Sequence, residues 1–220
     1  MNDDRTKDFI RSFIHDDEGV LGDIYNEARS NGVPVIRPET RDLLKVLLSM
    51  NRPEKILEIG TAVGYSALMM DQMLQSLGVE HHIDTCEFDE GRIETAKKNI
   101  ALMKREDYIE IFPGDAAETL DKMTADYDFV FIDAAKAQYK VYLDKVMKLV
   151  HSGSVIVTDN ILQEGEVLES HFLVEKRDRT IHDRMREYLQ YIKNDSRLDT
   201  VILEAGDGVA VSVVRIGDRV

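Results

Sequence analysis

The stretch Lys55-Ile56-Leu57-Glu58-Ile59-Gly60-Thr61-Ala62-Val63-Gly64-Tyr65-Ser66-Ala67-Leu68 decides the fold. Ile56, Leu57 and Ile59 read as a short buried strand, Gly60 and Gly64 open a tight turn, and apolar side chains return at helical spacing from Ser66 to Leu74. Strand, glycine loop and helix in succession make a ligand cradle. Glycine tolerates a left-handed φ and a ligand lying against bare backbone, and the helix start aims its free N–H groups at the same spot.

The ligand is narrowed by what the loop lacks. A dinucleotide fingerprint would place glycine where Ala62 stands, and Glu58 adds negative charge just before the turn, so a diphosphate fits poorly. A cationic ligand carrying its own amino acid fits better, with its carboxylate near the helix start and Ser66 and its ammonium and sulfonium groups near acidic side chains. S-adenosylmethionine has that charge pattern. From this stretch alone, a purely structural glycine turn stays open.

The chain has 220 residues, 43% of them hydrophobic, with no linker-like or repeated segment, so one domain is expected, its helices over 1–50 covering a core over 51–220. The absence of a long apolar run argues against a membrane span. The single cysteine, Cys86, excludes an intrachain disulfide and points to the cytoplasm; it reads as a small core residue. The net charge of −14 opposes nucleic-acid binding overall, yet residues 176–197 carry seven basic side chains against four acidic ones and predict a local basic surface.

Upstream of the cradle, residues 1–31 predict two amphipathic helices broken near 16–19, and Glu39 to Met50 a third. Downstream, strands are expected at 83–88, 108–112, 127–132 and 154–157, alternating with helices, as in a parallel sheet covered on both faces. A helix over 176–192 follows, and two strands flanking Gly206-Asp207-Gly208 should form an antiparallel hairpin at the sheet edge. Glu87 ends the second strand, where an acidic residue can accept hydrogen bonds from both ribose hydroxyls. Asp115 can cap the next helix, and Ala116 leaves room for a flat ring such as adenine.

Asp133 and the pair Asp159-Asn160 end the fourth and fifth strands. If these strands are neighbours, about 4.8 Å apart, three oxygen donors can converge on one hard cation: Mg²⁺, with Mn²⁺ or Ca²⁺ as substitutes. Lys136, three residues after Asp133, then suits removal of a proton from a substrate hydroxyl, whose oxygen attacks the cofactor methyl in line. Ordinary strand-end polarity and a solvated lysine are the competing readings.

Taken in order, Ile56 to Leu68, Gly114-Asp115-Ala116, Phe131-Ile132-Asp133-Ala134-Ala135-Lys136 and Thr158-Asp159-Asn160-Ile161-Leu162 resemble the cation-dependent O-methyltransferases related to caffeoyl-CoA and catechol O-methyltransferases, from about Pro34 to Val214. The resemblance implies a Rossmann-like class I methyltransferase fold, a seven-stranded mostly parallel sheet with an antiparallel last strand and helices on both faces, usually as a homodimer. It implies S-adenosylmethionine contacts at Val35, Glu58, Gly60, Ser66, Glu87, Asp115, Ala116 and Asp133, metal ligation by Asp133, Asp159 and Asn160, and catalysis by Lys136 with Asp133. Residues 174–180 and 203–212 most resemble the bacterial branch that methylates 5-hydroxyuridine at the tRNA wobble position, giving 5-methoxyuridine; the acidic Glu175, Asp178 and Asp183 depart from its basic run. A small catechol-like or caffeoyl-CoA-like diol is the alternative acceptor. A module that binds S-adenosylmethionine or RNA without catalysis is the alternative of another class, and the intact Asp133, Lys136, Asp159 and Asn160 speak against it.

Overall fold

A computed structural model describes residues 3–215; residues 1, 2 and 216–220 lie outside the described residues. Seven strands form one sheet in the order β3-β2-β1-β4-β5-β7-β6. The strands β1 (Lys55–Ile59), β2 (His82–Glu87), β3 (Ile109–Pro113), β4 (Tyr127–Ile132) and β5 (Val150–Thr158) run parallel. β7 (Val209–Val214) lies antiparallel between β5 and β6 (Leu198–Leu203), so the expected hairpin does close the sheet edge.

Both faces are buried, which is why the central strands read as unbroken apolar runs rather than alternating ones. Ile56, Phe129, Phe131, Val155 and Val157 face one core layer, shared with α2 (Gly19–Ser30), α3 (Pro38–Asn51) and α4 (Tyr65–Ser76). Leu57, Ile59, Val130, Ile132 and Ile156 face the other, shared with α7 (Tyr139–Val146) and α8 (Arg179–Asn194). Two further helices follow strand ends, α5 (Glu90–Leu102) and α6 (Ala116–Leu120). Both are capped by aspartate, the second as predicted: the Asp89 side chain accepts from the Arg92 N–H, and Asp115 from Ala117 and Glu118.

The N-terminal helices divide in role. α2 sends Leu21, Ile24 and Ala28 into the core, whereas α1 (Asp3–Arg11) leaves Phe9 and Ile10 exposed and is tied to α3 by the ion pair Arg11–Glu39. β5 begins at Val150, four residues before the expected start, because Val150 pairs with Tyr127 across an irregular register and the Ser-Gly sequence there does not turn. α8 starts at Arg179, so Lys176 to Asp178 lie in a turn ahead of it. Two short 3₁₀ segments, Lys136–Gln138 and Gln163–Leu168, were not foreseen; the second contains left-handed Glu164 and Gly165, a conformation no periodicity announces. Among the described residues no helix is long and apolar enough to cross a membrane.

Candidate active site

The strand order reverses between β1 and β4, and a ligand crevice belongs at the carboxyl ends of the strands flanking that point. A cavity of about 830 Å³ lies there. Gly60 makes it possible. With φ +108° it turns the chain sharply out of β1, and a Cβ at this position would stand 2.0 Å from the Asp133 carbonyl oxygen. The ends of β1 and β4 therefore touch through bare backbone, sealed by the Asp133 N–H donating to the Ile59 carbonyl at 2.9 Å.

The predicted cofactor residues Val35, Gly60, Ser66, Glu87, Asp115 and Ala116 all line this cavity. Glu87 also holds the loop. Its Oε2 accepts from the Ala62 N–H at 2.9 Å, and its Oε1 accepts from Phe88 and Asp89 at 2.9 and 3.0 Å. One carboxylate thus joins the glycine loop to the turn after β2, and its spare lone pairs remain for hydroxyl donors.

Glu58 stands elsewhere: it is fully buried beneath the loop, off the cavity wall, accepting from the Thr85 hydroxyl beside Ser66. Burial raises its carboxyl to about 7, with Thr85 and Ser66 pulling the other way and the neighbouring Asp133 and Glu87 charges adding to the rise. A folded-state value above the unfolded one means stability that is present below about pH 4.5 and lost as pH rises through about 7. Glu58→Gln is accordingly expected to match the ligand-free wild type at about pH 4 and to exceed it by a few kcal/mol at about pH 8. Thermal unfolding at the two pH values measures this, and a difference that does not change with pH would refute it. Cys86 is buried as expected, its thiol pushed up to about 12.

At the other end of the cavity the chemistry-bearing residues meet. β4 and β5 pair with Ile132 opposite Thr158, so Asp133 and Asp159 emerge side by side from adjacent strands. Asn160, in left-handed conformation at φ +59°, turns its amide back, and Nδ2 donates to Asp133 Oδ1 at 2.7 Å. Asp159 Oδ1 accepts from its neighbour's N–H at 2.8 Å and from the Thr40 hydroxyl at 3.1 Å. Its Oδ2 is buried with no hydrogen-bond partner. Burial raises both carboxyls, and the charge of Asp133 raises Asp159 further, while Asn160 and Lys136 oppose the rise at Asp133. Two crowded carboxylates, an amide and an orphaned carboxylate oxygen form an all-oxygen set that a hard divalent cation would satisfy. Lys136, on the 3₁₀ segment after β4, lines the same wall.

Three contributors escaped the sequence reading. Asp207, read only as a turn residue, is buried; its Oδ2 stands 3.7 Å from Lys136 Nζ, and its Oδ1 accepts from the Glu164 N–H at 2.6 Å. Thr40 reaches Asp159 across 119 positions. Arg37 lines the cavity and pairs with Glu164 at 3.5 Å. Acidic Gly-Asp-Gly between two strands was the one available signal.

The basic segment stays largely exposed, but part of its charge is paired with acidic neighbours. Arg177 lies 3.2 Å from both Glu175 and Asp178, and Arg197 pairs with Asp195 at 2.6 Å. Arg179 donates to the Val174 carbonyl at 3.0 Å, Arg184 to Ala137 at 3.2 Å, Arg186 to Glu169 at 3.1 Å and Lys193 to Thr200 at 2.7 Å. Carbonyl acceptors orient these cations without neutralising them.

Comparison with known proteins matches residues 22–215 to the O-methyltransferase family. Among curated relatives, a catechol O-methyltransferase of Niastella koreensis is 27% identical, covering 91% of this chain and 92% of its own. A caffeoyl-CoA O-methyltransferase of Populus kitakamiensis is 30% identical over 85% of this chain and 80% of its own. A solved structure, of a caffeoyl-CoA O-methyltransferase candidate from Staphylococcus aureus, superposes with a TM-score of 0.83 at 31% identity, over 90% of this chain and 93% of that one.

Proposed function

The chain belongs to the O-methyltransferase family, enzymes that draw their methyl group from S-adenosylmethionine, and from that premise we propose that it methylates a ring hydroxyl standing beside a second oxygen, the acceptor being 5-hydroxyuridine at the tRNA wobble position. The observation that carries the reading is that Asp133, Asn160 and Lys136 line one end of the cradle's own cavity, with Asp159 buried beside Asp133 at the end of the neighbouring strand. A bound divalent cation, which Asp133, Asp159 and Asn160 would hold, supplies Lewis acidity to the acceptor hydroxyl. The chain's own residues do the rest. Gly60, Ser66 and Glu87 hold the cofactor, Asp207 positions Lys136, and the Lys136 amine takes the hydroxyl proton at Nζ. The acceptor oxygen then attacks the methyl in line, the carbon–sulfur bond breaks, and neutral S-adenosylhomocysteine leaves.

A 5-hydroxyuracil presents a hydroxyl beside a carbonyl, the same paired oxygens as a catechol. The tRNA reading is supported by Arg179, Arg184 and Arg186, which keep their charge while bonded to carbonyls, and by the exposed Phe172, on which a base could stack. The small-diol reading is supported by the names of the relatives and by a cavity large enough for one ring beside the cofactor. A homodimer is supported by the exposed Phe9, Ile10 and Phe13 in and just after α1.

Nucleoside mass analysis of tRNA from cells lacking the protein decides between acceptors. The expected result is loss of 5-methoxyuridine with accumulation of 5-hydroxyuridine. An unchanged profile, with turnover of a catechol by the purified enzyme, would reject the tRNA reading and leave the diol.

A further inference from the structure

Away from the cavity, two imidazoles and a carboxylate converge where the loop after β5 meets α8. His171 comes from the loop; His182 ends the first turn of the helix and Asp183 follows it. One ligand atom from each lies within 4.8 Å of the others. Asp183 Oδ1 is 2.8 Å from His171 Nδ1 and 3.0 Å from His182 Nδ1.

His182 makes the cluster unusual. It is 1% exposed, and its Nε2 faces the Glu169 carbonyl at 3.1 Å. A carbonyl can only accept, so the ring proton belongs on Nε2, and the neutral ring then has a bare lone pair at Nδ1. That buried lone pair points at a carboxylate oxygen. Two electron pairs at 3.0 Å repel unless positive charge lies at the contact, as a proton on the ring or as a cation. Ring N–H on a backbone carbonyl with the other nitrogen free is also how metal-ligating histidines are oriented.

We propose that His171, His182 and Asp183 form a second metal site, taking a borderline divalent ion of the zinc class, distinct from the hard-cation site of Asp133, Asp159 and Asn160. Imidazole nitrogens with one carboxylate are zinc's donors, whereas the all-oxygen set selects magnesium-like ions. Tetrahedral donors about 2.0 to 2.1 Å from zinc stand about 3.3 Å apart. The two edges to Asp183 Oδ1, 2.8 and 3.0 Å, need to open by a few tenths of an ångström, and the edge between the two imidazoles, which lies within 4.8 Å, must settle at the same value. His171 and Asp183 can supply that movement, being 42% and 53% exposed, and solvent can complete the coordination. The ion would clip to α8 the same loop that contributes Gln163, Glu164 and Glu166 to the cavity wall. The proposal is independent of which acceptor the enzyme methylates.

The test titrates zinc into the full-length chain by calorimetry, in an Asp159→Asn background that weakens competition from the oxygen site. One equivalent is expected to bind. His171→Ala or Asp183→Asn, both at exposed positions, should weaken binding by more than about 100-fold, since ligand removal costs more than loss of an outer-shell partner. Hydrogen exchange at residues 169–178 should slow with zinc in the background protein and not in the His171→Ala protein. Zinc affinity unchanged by either substitution, or no binding in the background protein, would overturn the proposal.

Discussion

Asp159→Ala is expected to abolish methyl transfer, by about a thousandfold or more, while S-adenosylmethionine binding falls no more than a few-fold. In the proposed function Asp159 is a donor to the cation, and it does not line the cavity that would hold the cofactor. Loss of Lewis-acid assistance is worth several kcal/mol, and each 1.36 kcal/mol is about tenfold in rate. Because alanine strands the Thr40 hydroxyl and the Asn160 N–H that Asp159 satisfies, Asp159→Asn is the companion variant. Burial and the Asp133 charge raise the Asp159 carboxyl, so its ionised form costs stability as pH rises above the ordinary carboxylate range. The asparagine variant should therefore unfold at a higher temperature than the cation-free wild type near pH 8, yet be as inactive as the alanine. Rate is read by single-turnover transfer and affinity by calorimetry. Excess chelator should reproduce the loss in wild type; full activity in chelator would remove the cation from the mechanism.

The largest stability effect is expected from Gly60→Ala. The new Cβ would stand 2.0 Å from the Asp133 carbonyl oxygen and 2.8 Å from its carbon, at a φ of +108°. Both obstacles are backbone and cannot rotate away. Relief requires prising the ends of β1 and β4 apart and breaking the Asp133–Ile59 hydrogen bond, which also displaces Asp133 and the Asn160 amide bonded to it. A cost of about 4 kcal/mol or more follows, or about 8–16 °C in Tm for a chain of this size. Gly114→Ala is the control. It has a similar φ of +120° with no atom within 4 Å of the added carbon, so it should lose only backbone strain of about 1–3 kcal/mol. Equal losses in the two variants would show that left-handed strain, not the close approach to Asp133, makes Gly60 necessary.

The amino-acid order by itself determined the alternation of strands and helices, the cradle, and the strand-end placement of Asp133, Asp159 and Asn160. Those follow from short-range regularities: apolar runs, helical spacing, glycines at a turn and acidic residues closing strands. Once β4 and β5 are neighbours, register alone sets Asp133 beside Asp159. Tertiary structure alone decided the partners that come from far along the chain. Thr40 reaches Asp159 from the start of α3, Asp207 reaches Lys136 from the last hairpin, and Glu58 is placed under the loop rather than on the cavity wall. Composition counted the charges of residues 176–197 without their partners, and so did not show that Arg177 and Arg197 are the ones acidic neighbours neutralise. Folding turned Arg179, Arg184 and Arg186 onto carbonyls and brought His171 against His182 and Asp183. Periodicity in sequence reports which way a side chain faces, and only packing between distant segments determines what it meets there.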